Sequence, residues 1–543
     1  MEELPAEIFN ELLDQLEPGG REVPSSTSRR NPWARPQPYK PDHIDSRQHY
    51  ASLRLVCKRF NDLAAPYLFR SIGLRFNAKS FGRLESLAAN PRLARHVRKF
   101  VYLMPYIYEE GVQDFDAFRN DETLGLSNKI RQIMFEDREP YYYTSVYREQ
   151  QELMRGSYDL NVLRKAMRAF TSLQEANLLA IMVHKDIVLR NLASSFDNWE
   201  FIDCKWIPAC RHAAETLLIA LYDAKSPVTA LCSPTMSPQS LIDLGPKSRQ
   251  IALRTWSQLT FLEVTFDERP DRSYLDTSGT VLTGHDNTLA EMFRQFIGAA
   301  KNLTTLYLRF TPGMPVRLPL HQVFHDFHWP KLRVLGIGSW MLHADEIIDI
   351  VERHKDTLNG FRLSEIYLLD GELWRDVVTA VKENATKIKW VGLHDISYER
   401  EYVRKQAYIE TYSDTSSENE YDDYGVDLDG MSLRSRGSNS STTASHDPLP
   451  TSLDGDDEDV VYGNVFTTTA MTGHAGPSSM AGRELPGSIH GGNGAGNGAG
   501  LDEKWEEEEL EDDGRTVSQA QRKHWERWIV GMTANGEPYI RAL

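Results

Sequence analysis

The residues best placed for metal chemistry lie in HQVFHDFHW, where His321, His325 and His328 fall at i, i+4 and i+7. On a helix that spacing puts three imidazoles on one face, and three such nitrogens can close on one ion. No carboxylate is spaced to act as a metalloprotease base, and the segment sits between two repeated motifs, so a structural role is expected. Cys204 and Cys210 lack a matching second pair of ligands, which argues against a zinc site there. A nucleophile elbow GxSxG, a phosphate loop GxxxxGK[ST] and paired CxxC motifs are absent from the sequence. No catalytic residue, no metal and no cofactor is therefore assigned. An enzyme would need a site in the irregular stretch 187–290, and that remains an alternative.

Polar clusters are read the same way. The acidic run from Glu506 to Asp513 is the pattern of a solvating tail. The tyrosine-rich stretch EPYYYTSVYREQ from Glu139 could stack on bases, yet no basic stripe accompanies it, so packing is the expectation. Net charge is −17. Residues 410–513 hold about 24 acidic and about 4 basic side chains, roughly −20 in all, which leaves the rest near +3. A nearly neutral body argues neither for nucleic-acid binding nor for acid-loving partners, and no nucleic-acid partner is expected. Four cysteines in 543 residues give no disulfide framework and fit a reducing compartment. The start carries Glu2 and Glu3 with no long apolar run, unlike a secretory signal, and LLIALY from Leu217 falls short of a membrane span. The expected location is cytoplasmic, nuclear or both, with no membrane partner.

The elements that would position any site come from periodicity. A frame LxxLxL recurs as LTTLYL at Leu303, LRVLGI at Leu332, LNGFRL at Leu358 and IKWVGL at Ile388, with starts about 29, 26 and 30 residues apart. Degenerate copies stand upstream as LTFLEV at Leu259, LQEANL at Leu173 and VRKFVY at Val97. The fourth and sixth positions of each frame should point inward from a short strand, and a helix should follow to cover the neighbouring copy. Val323, Phe324 and Phe327, then Ile347, Ile348 and Val351, then Leu373, Val377, Val378 and Val381 supply the apolar faces of those helices. FRSIGLRF, Phe69 to Phe76, alternates like a strand, and a helix is expected from Ser80 to Ala89. Long insertions, including one near Asp271, make the array irregular, and 187–255 holds no copy that can be phased.

Two amphipathic segments precede the array. In LPAEIFNELLDQL, Pro5 opens a helix and Ile8, Phe9, Leu12, Leu13 and Leu16 share one side. In SLRLVCKRFNDLAAPYLF, Leu53, Val56, Cys57, Phe60, Leu63 and Ala64 form a second stripe, with Asp45 and Gln48 as a capping start and Pro66 as its stop. So few ordered residues cannot bury both stripes against each other, and a partner should cover the remainder. Between them lies PSSTSRRNPWARPQPYKP, too polar and proline-rich for a core, expected to loop out disordered over 17–44.

These paired signatures resemble the F-box, the helical motif that docks on the Skp-type adaptor of cullin-RING ubiquitin ligases. The resemblance implies an α/β protein with a helical F-box at 1–70 and an irregular leucine-rich-repeat-like α/β solenoid at 71–411. A disordered acidic tail at 412–515 and a C-terminal helix or cap at 516–543 complete the reading. It implies a non-enzymatic substrate receptor of an SCF-type ubiquitin ligase, with a non-ligase scaffold as the alternative. The apolar positions matching the motif are Leu4, Pro5, Ile8, Leu12, Leu13, Leu53, Val56, Cys57, Phe60 and Leu63, and these would meet the adaptor. The target, a protein, would meet the outward strand positions of the array. Those are Glu263, Thr265, Thr305, Ser364 and, as the anchors assigned to the site, Tyr307, Arg309, Arg362, Trp390 and His394. The tail segment VSQAQRKHWERWIVGM, with Trp525, Trp528, Ile529 and Met532, carries an aromatic face that should return to cap the end of the array.

Overall fold

A computed structural model describes residues 46–103, 140–179, 206–266, 286–310, 315–404 and 512–531. Leu4, Pro5, Ile8, Leu12, Leu13, Cys204, Met532, the insert at 17–44, the insertion near Asp271 and the acidic tail up to residue 511 lie outside the described residues. The chain is a mixed α/β protein, and within each unit the strands of the described residues pair in parallel. It divides into two compact units, one built mainly from Met1–Arg272 and one mainly from Asn302–Val426 with Ala470–Leu543. No helix among the described residues is long and apolar enough to cross a membrane.

The first unit opens with helices α1 (Ser46–Val56) and α2 (Lys58–Leu68). The sequence reading expected one helix ended by Pro66, and both parts of that are corrected. The break falls at Cys57, whose backbone is extended (φ −160°, ψ 170°) and whose carbonyl accepts the amide hydrogen bond of Asn61 at 2.9 Å. Cys57 thus serves as the N-cap of a new helix, and Pro66 sits inside α2 instead of ending it. Arg54 spans the break by donating to Asn61 at 2.8 Å. Strand β1 (Ser71–Leu74) follows, then α3 (Ala78–Ala88), started by Asn77, whose side chain accepts from the Ser80 amide at 2.8 Å.

Strands β2 (Lys99–Tyr102), β3 (Glu175–Leu178), β4 (Ala230–Met236) and β5 (Phe261–Phe266) add to β1 in sequence order. Between them run α4 (Pro140–Arg155), α5 (Tyr158–Ala169), α6 (Trp206–Asp223) and α7 (Pro246–Trp256). The register sets Phe100, Ala176, Leu231 and Leu262 side by side, all buried. These are fourth positions of the frame, so one apolar row runs across the unit. The sequence found no frame between 187 and 255, yet β4 lies there. Its segment reads VTALCS from Val228, and Ser233 at the sixth position, buried beside Val264, hides the pattern.

The second unit contains α8 (Asp286–Ala299), β6 (Thr305–Phe310), β7 (Val334–Leu342), α9 (Ala344–Arg353), β8 (Gly360–Leu368), α10 (Trp374–Asn384), β9 (Trp390–His394), β10 (Ser397–Tyr398) and α11 (Gln519–Val530). Leu306, Leu335, Phe361 and Val391 form one row, and Leu308, Ile337, Leu363 and Leu393 the next. The leading leucines of the frame, Leu303, Leu332 and Leu358, are sealed at the strand entries. Helix α9 shows why the connecting segments fold as they do: Glu346 accepts from the His343 amide at 2.9 Å, acidic residues fill the first turn, and Arg353 stands in the last. Its buried face is Ala344, Ile347, Ile350 and Val351.

The helix expected to carry His321, His325 and His328 covers only Leu320–Phe324. His325 turns out of it (φ 44°, ψ −143°) and its ring meets the Ala290 carbonyl at 3.2 Å, while the His328 ring stacks on His354. The three imidazoles therefore do not share a helix face.

Candidate functional site

In the second unit the outward strand positions form three rows. Thr305, Val334, Gly360 and Trp390 make the first, Tyr307, Gly336, Arg362 and Gly392 the second, and Arg309, Gly338, Ser364 and His394 the third. Large side chains stand next to glycines, and the glycines are what let them lie flat. A Cβ on Gly338 would come within 2.8 Å of Arg309 Cγ, and one on Gly360 within 2.3 Å of the Trp390 indole. Arg362 lies with its guanidinium 5.3 Å from the Trp390 ring centroid and 5.9 Å from that of Tyr307, distances at which the ring quadrupole attracts the cation.

Directly after the third row the backbone changes hand. Ser339, Glu365 and Asp395 have φ of 59°, 55° and 51°, a conformation that costs a non-glycine residue roughly 1–3 kcal/mol. Ser339 and Glu365 converge on Arg309. The guanidinium donates to Glu365 at 2.8 Å and to Ser339 Oγ at 3.3 Å, and the serine hydroxyl donates to the second Glu365 oxygen at 2.9 Å. A charge this deep, with Arg309 3% exposed, needs such pairing. Sequence reasoning assigned Arg309 and missed its partners. The available signal was a polar residue at the eighth position of three successive frames.

All five anchors assigned from sequence share this face, but they are not equally accessible. Tyr307, Arg309 and Arg362 are buried, as are Thr305, Ser364 and Glu263, whereas Trp390 and His394 are half-buried. Strands β7 and β8 are buried at every position, so the simple alternation of a half-open sheet does not hold. Burial, with Arg362 close by, pushes the His394 imidazole down from its ordinary range and keeps it neutral at pH 7.

Helix α11 closes the β9 side of this face. Its Glu526 accepts the Leu393 amide at 2.5 Å, and Arg522 pairs with Asp395 at 3.1 Å. Trp525 is fully buried, and Lys382 of α10 stands 3.5 Å from the centroid of the Trp528 ring. Upstream, Asp512 accepts from the Arg375 amide at 2.9 Å and from the Tyr398 hydroxyl, and so caps α10.

The assigned adaptor positions that are described lie on α1 and α2. Val56 is 64% exposed; Leu53, Cys57 and Leu63 are half-buried; Phe60 is 6% exposed and packs within the chain. Leu55, outside the expected stripe, is the most exposed large apolar residue among the described residues, at 88%. The seam of the pair is aromatic, with Tyr50 stacked on Tyr67 at 5.4 Å and Arg54 over Phe69 at 4.8 Å.

In the first unit, Lys99 pairs with Glu175 at 2.6 Å, and the Cys232 thiol lies 3.8 Å from the same carboxylate. Burial, with Glu175 beside it, pushes that thiol well up, so it is held protonated and is a poor nucleophile. No group of three or more metal-ligating side chains occurs among the described residues. A scan against protein-family models matches none, and no curated protein shows significant sequence similarity to the chain.

Proposed function

We propose that this chain is an F-box protein, the substrate-recognition subunit of an SCF-type ubiquitin ligase. On this reading α1 and α2 are the second half of the F-box, completed by Leu4, Pro5, Ile8, Leu12 and Leu13, and they hold the Skp-type adaptor. The βα units are an irregular leucine-rich-repeat-like solenoid, and the face around Arg362, Trp390 and His394 receives a target protein. The chain makes and breaks no covalent bond; it raises the effective concentration of target near the cullin-bound transfer machinery.

The observation that carries the reading is the state of Leu55 and Val56. A helix pair that seals Phe60 leaves two adjacent large aliphatic side chains in water, 88% and 64% exposed. Burying each is worth about 1.5–3 kcal/mol to whatever covers it. Capture of purified Skp-type adaptor by the full chain, compared with Leu55→Asp/Val56→Asp and Leu4→Ala/Ile8→Ala, tests it. Loss of capture in both variants is the expected result; retained capture in both contradicts it. Adaptor without cullin in the captured material would point to the non-ligase scaffold.

A further inference from the structure

The segment Asp512–Gly531 is seated on the second unit by contacts made far along the chain, with Asp512 reaching Arg375 across 137 positions of sequence. Its grip has three parts. A carboxylate caps α10, a tryptophan is fully buried, and a second carboxylate, next to that tryptophan, takes an amide of edge strand β9. Helix α11 is only 12 residues long, too short to persist in water alone, so its helical form comes with docking. One capping box between Ser518 and Gln521 and a left-handed Gly531 delimit it sharply.

Two features mark this segment as a ligand on a surface and not as one more layer of core. Its polar contacts satisfy groups that belong to the end of the array itself: the Leu393 amide of an edge strand and the N-terminus of α10, whose own cap residue Leu373 has no side chain able to accept. Glu526 also stands in the field of Arg362, the buried cation of the proposed target face. Beyond Trp525 and Ile529, the polar contacts lie toward solvent: Asp395, paired with Arg522, is largely exposed, and the Lys382 ammonium stands over the face of the Trp528 ring.

We propose that Asp512–Gly531 is a displaceable intramolecular ligand, and that its surface accepts from the target an amphipathic helix bearing the same adjacent tryptophan and glutamate. Only the identity of the displacing partner rests on the receptor reading above. In the resting chain the tail segment shields the β9 edge; a target helix with a matching Trp-Glu pair and an upstream carboxylate takes its place. The same α10 and β9 groups would then hold the target, and the tail would be released.

The probe is a labelled synthetic peptide of residues 512–531, titrated into full-length wild-type chain and into full-length Trp525→Ala/Glu526→Ala. Amide exchange at Leu393 reports docking. In the variant the Leu393 amide should exchange faster, and added peptide should restore its protection. The peptide should bind the variant at least tenfold more tightly than the wild type, whose own segment competes. A conservative Glu526→Gln variant should show an intermediate gain. Equal affinity for wild type and double variant, no binding to either, or loss of the β9 and α10 fold in the variant would each overturn the proposal. Neither adaptor nor target enters the assay, so its failure leaves the adaptor test above standing.

Discussion

Single side chains in the second unit carry measurable consequences. Glu365 holds Arg309 in a place almost without water. Removing one member of such a pair costs about 3–5 kcal/mol. Glu365→Gln should therefore lower the denaturation midpoint of the second unit and speed amide exchange in β7 and β8; an unchanged midpoint would show the network to be incidental. Gly360→Ala should cost about 1–3 kcal/mol, because the added methyl enters the space of the Trp390 indole. His354 gives a pH dependence. Its Nε2 accepts from the Trp329 amide at 3.2 Å, its Nδ1 donates to the Ile350 carbonyl at 3.0 Å, and burial lowers its pKa to about 4. The folded state therefore resists a proton that the unfolded chain takes up near pH 6.5. Stability due to this group is full above that value and falls as the pH drops from about 6.5 toward 4, at up to roughly 1.4 kcal/mol per pH unit. A urea series across that range should show the loss, and His354→Gln should flatten it.

At the scale of elements, the frames were legible because their first, fourth and sixth residues are apolar for a reason that operates locally: each strand must bury one row. All seven frames found in the sequence lie on strands, with Leu303, Leu332 and Leu358 sealed at the entries. β4 escaped because Ser233 replaces the apolar sixth residue. The short helix at Leu320–Phe324 was overdrawn, since histidine and aromatic spacing mimics helical period while His325 leaves the helix. The α1–α2 break at Cys57 carries no proline or glycine signal, and Pro66, which does, sits inside α2. The five anchors were legible as one face, but their burial was not. Glycines at 338, 360 and 392 let arginine and tryptophan lie down along the sheet, which alternation alone does not announce. Helix α11 gives the test at this scale. Deleting 516–543 should lower the melting temperature of the second unit, because a buried tryptophan is worth about 3–5 kcal/mol; an unchanged melting temperature would mean the helix contributes nothing to that unit.

At the scale of the whole molecule, a small helical pair leaves aliphatic surface in water, and strand-helix units gather a cation and aromatics on their outward face. On the proposed function, the helical pair is a handle for the Skp-type adaptor. Leu55 and Val56 are exposed enough that changing them should leave folding within about 0.5 kcal/mol of wild type. The most direct measurement is calorimetric titration of purified Skp-type adaptor into the full chain and into Leu55→Asp/Val56→Asp, with melting temperatures recorded for both. Saturable binding to the wild type is expected, with at least a hundredfold loss in the variant at unchanged melting temperature. Equal affinity for both chains, or no heat of binding to the wild type, would contradict it.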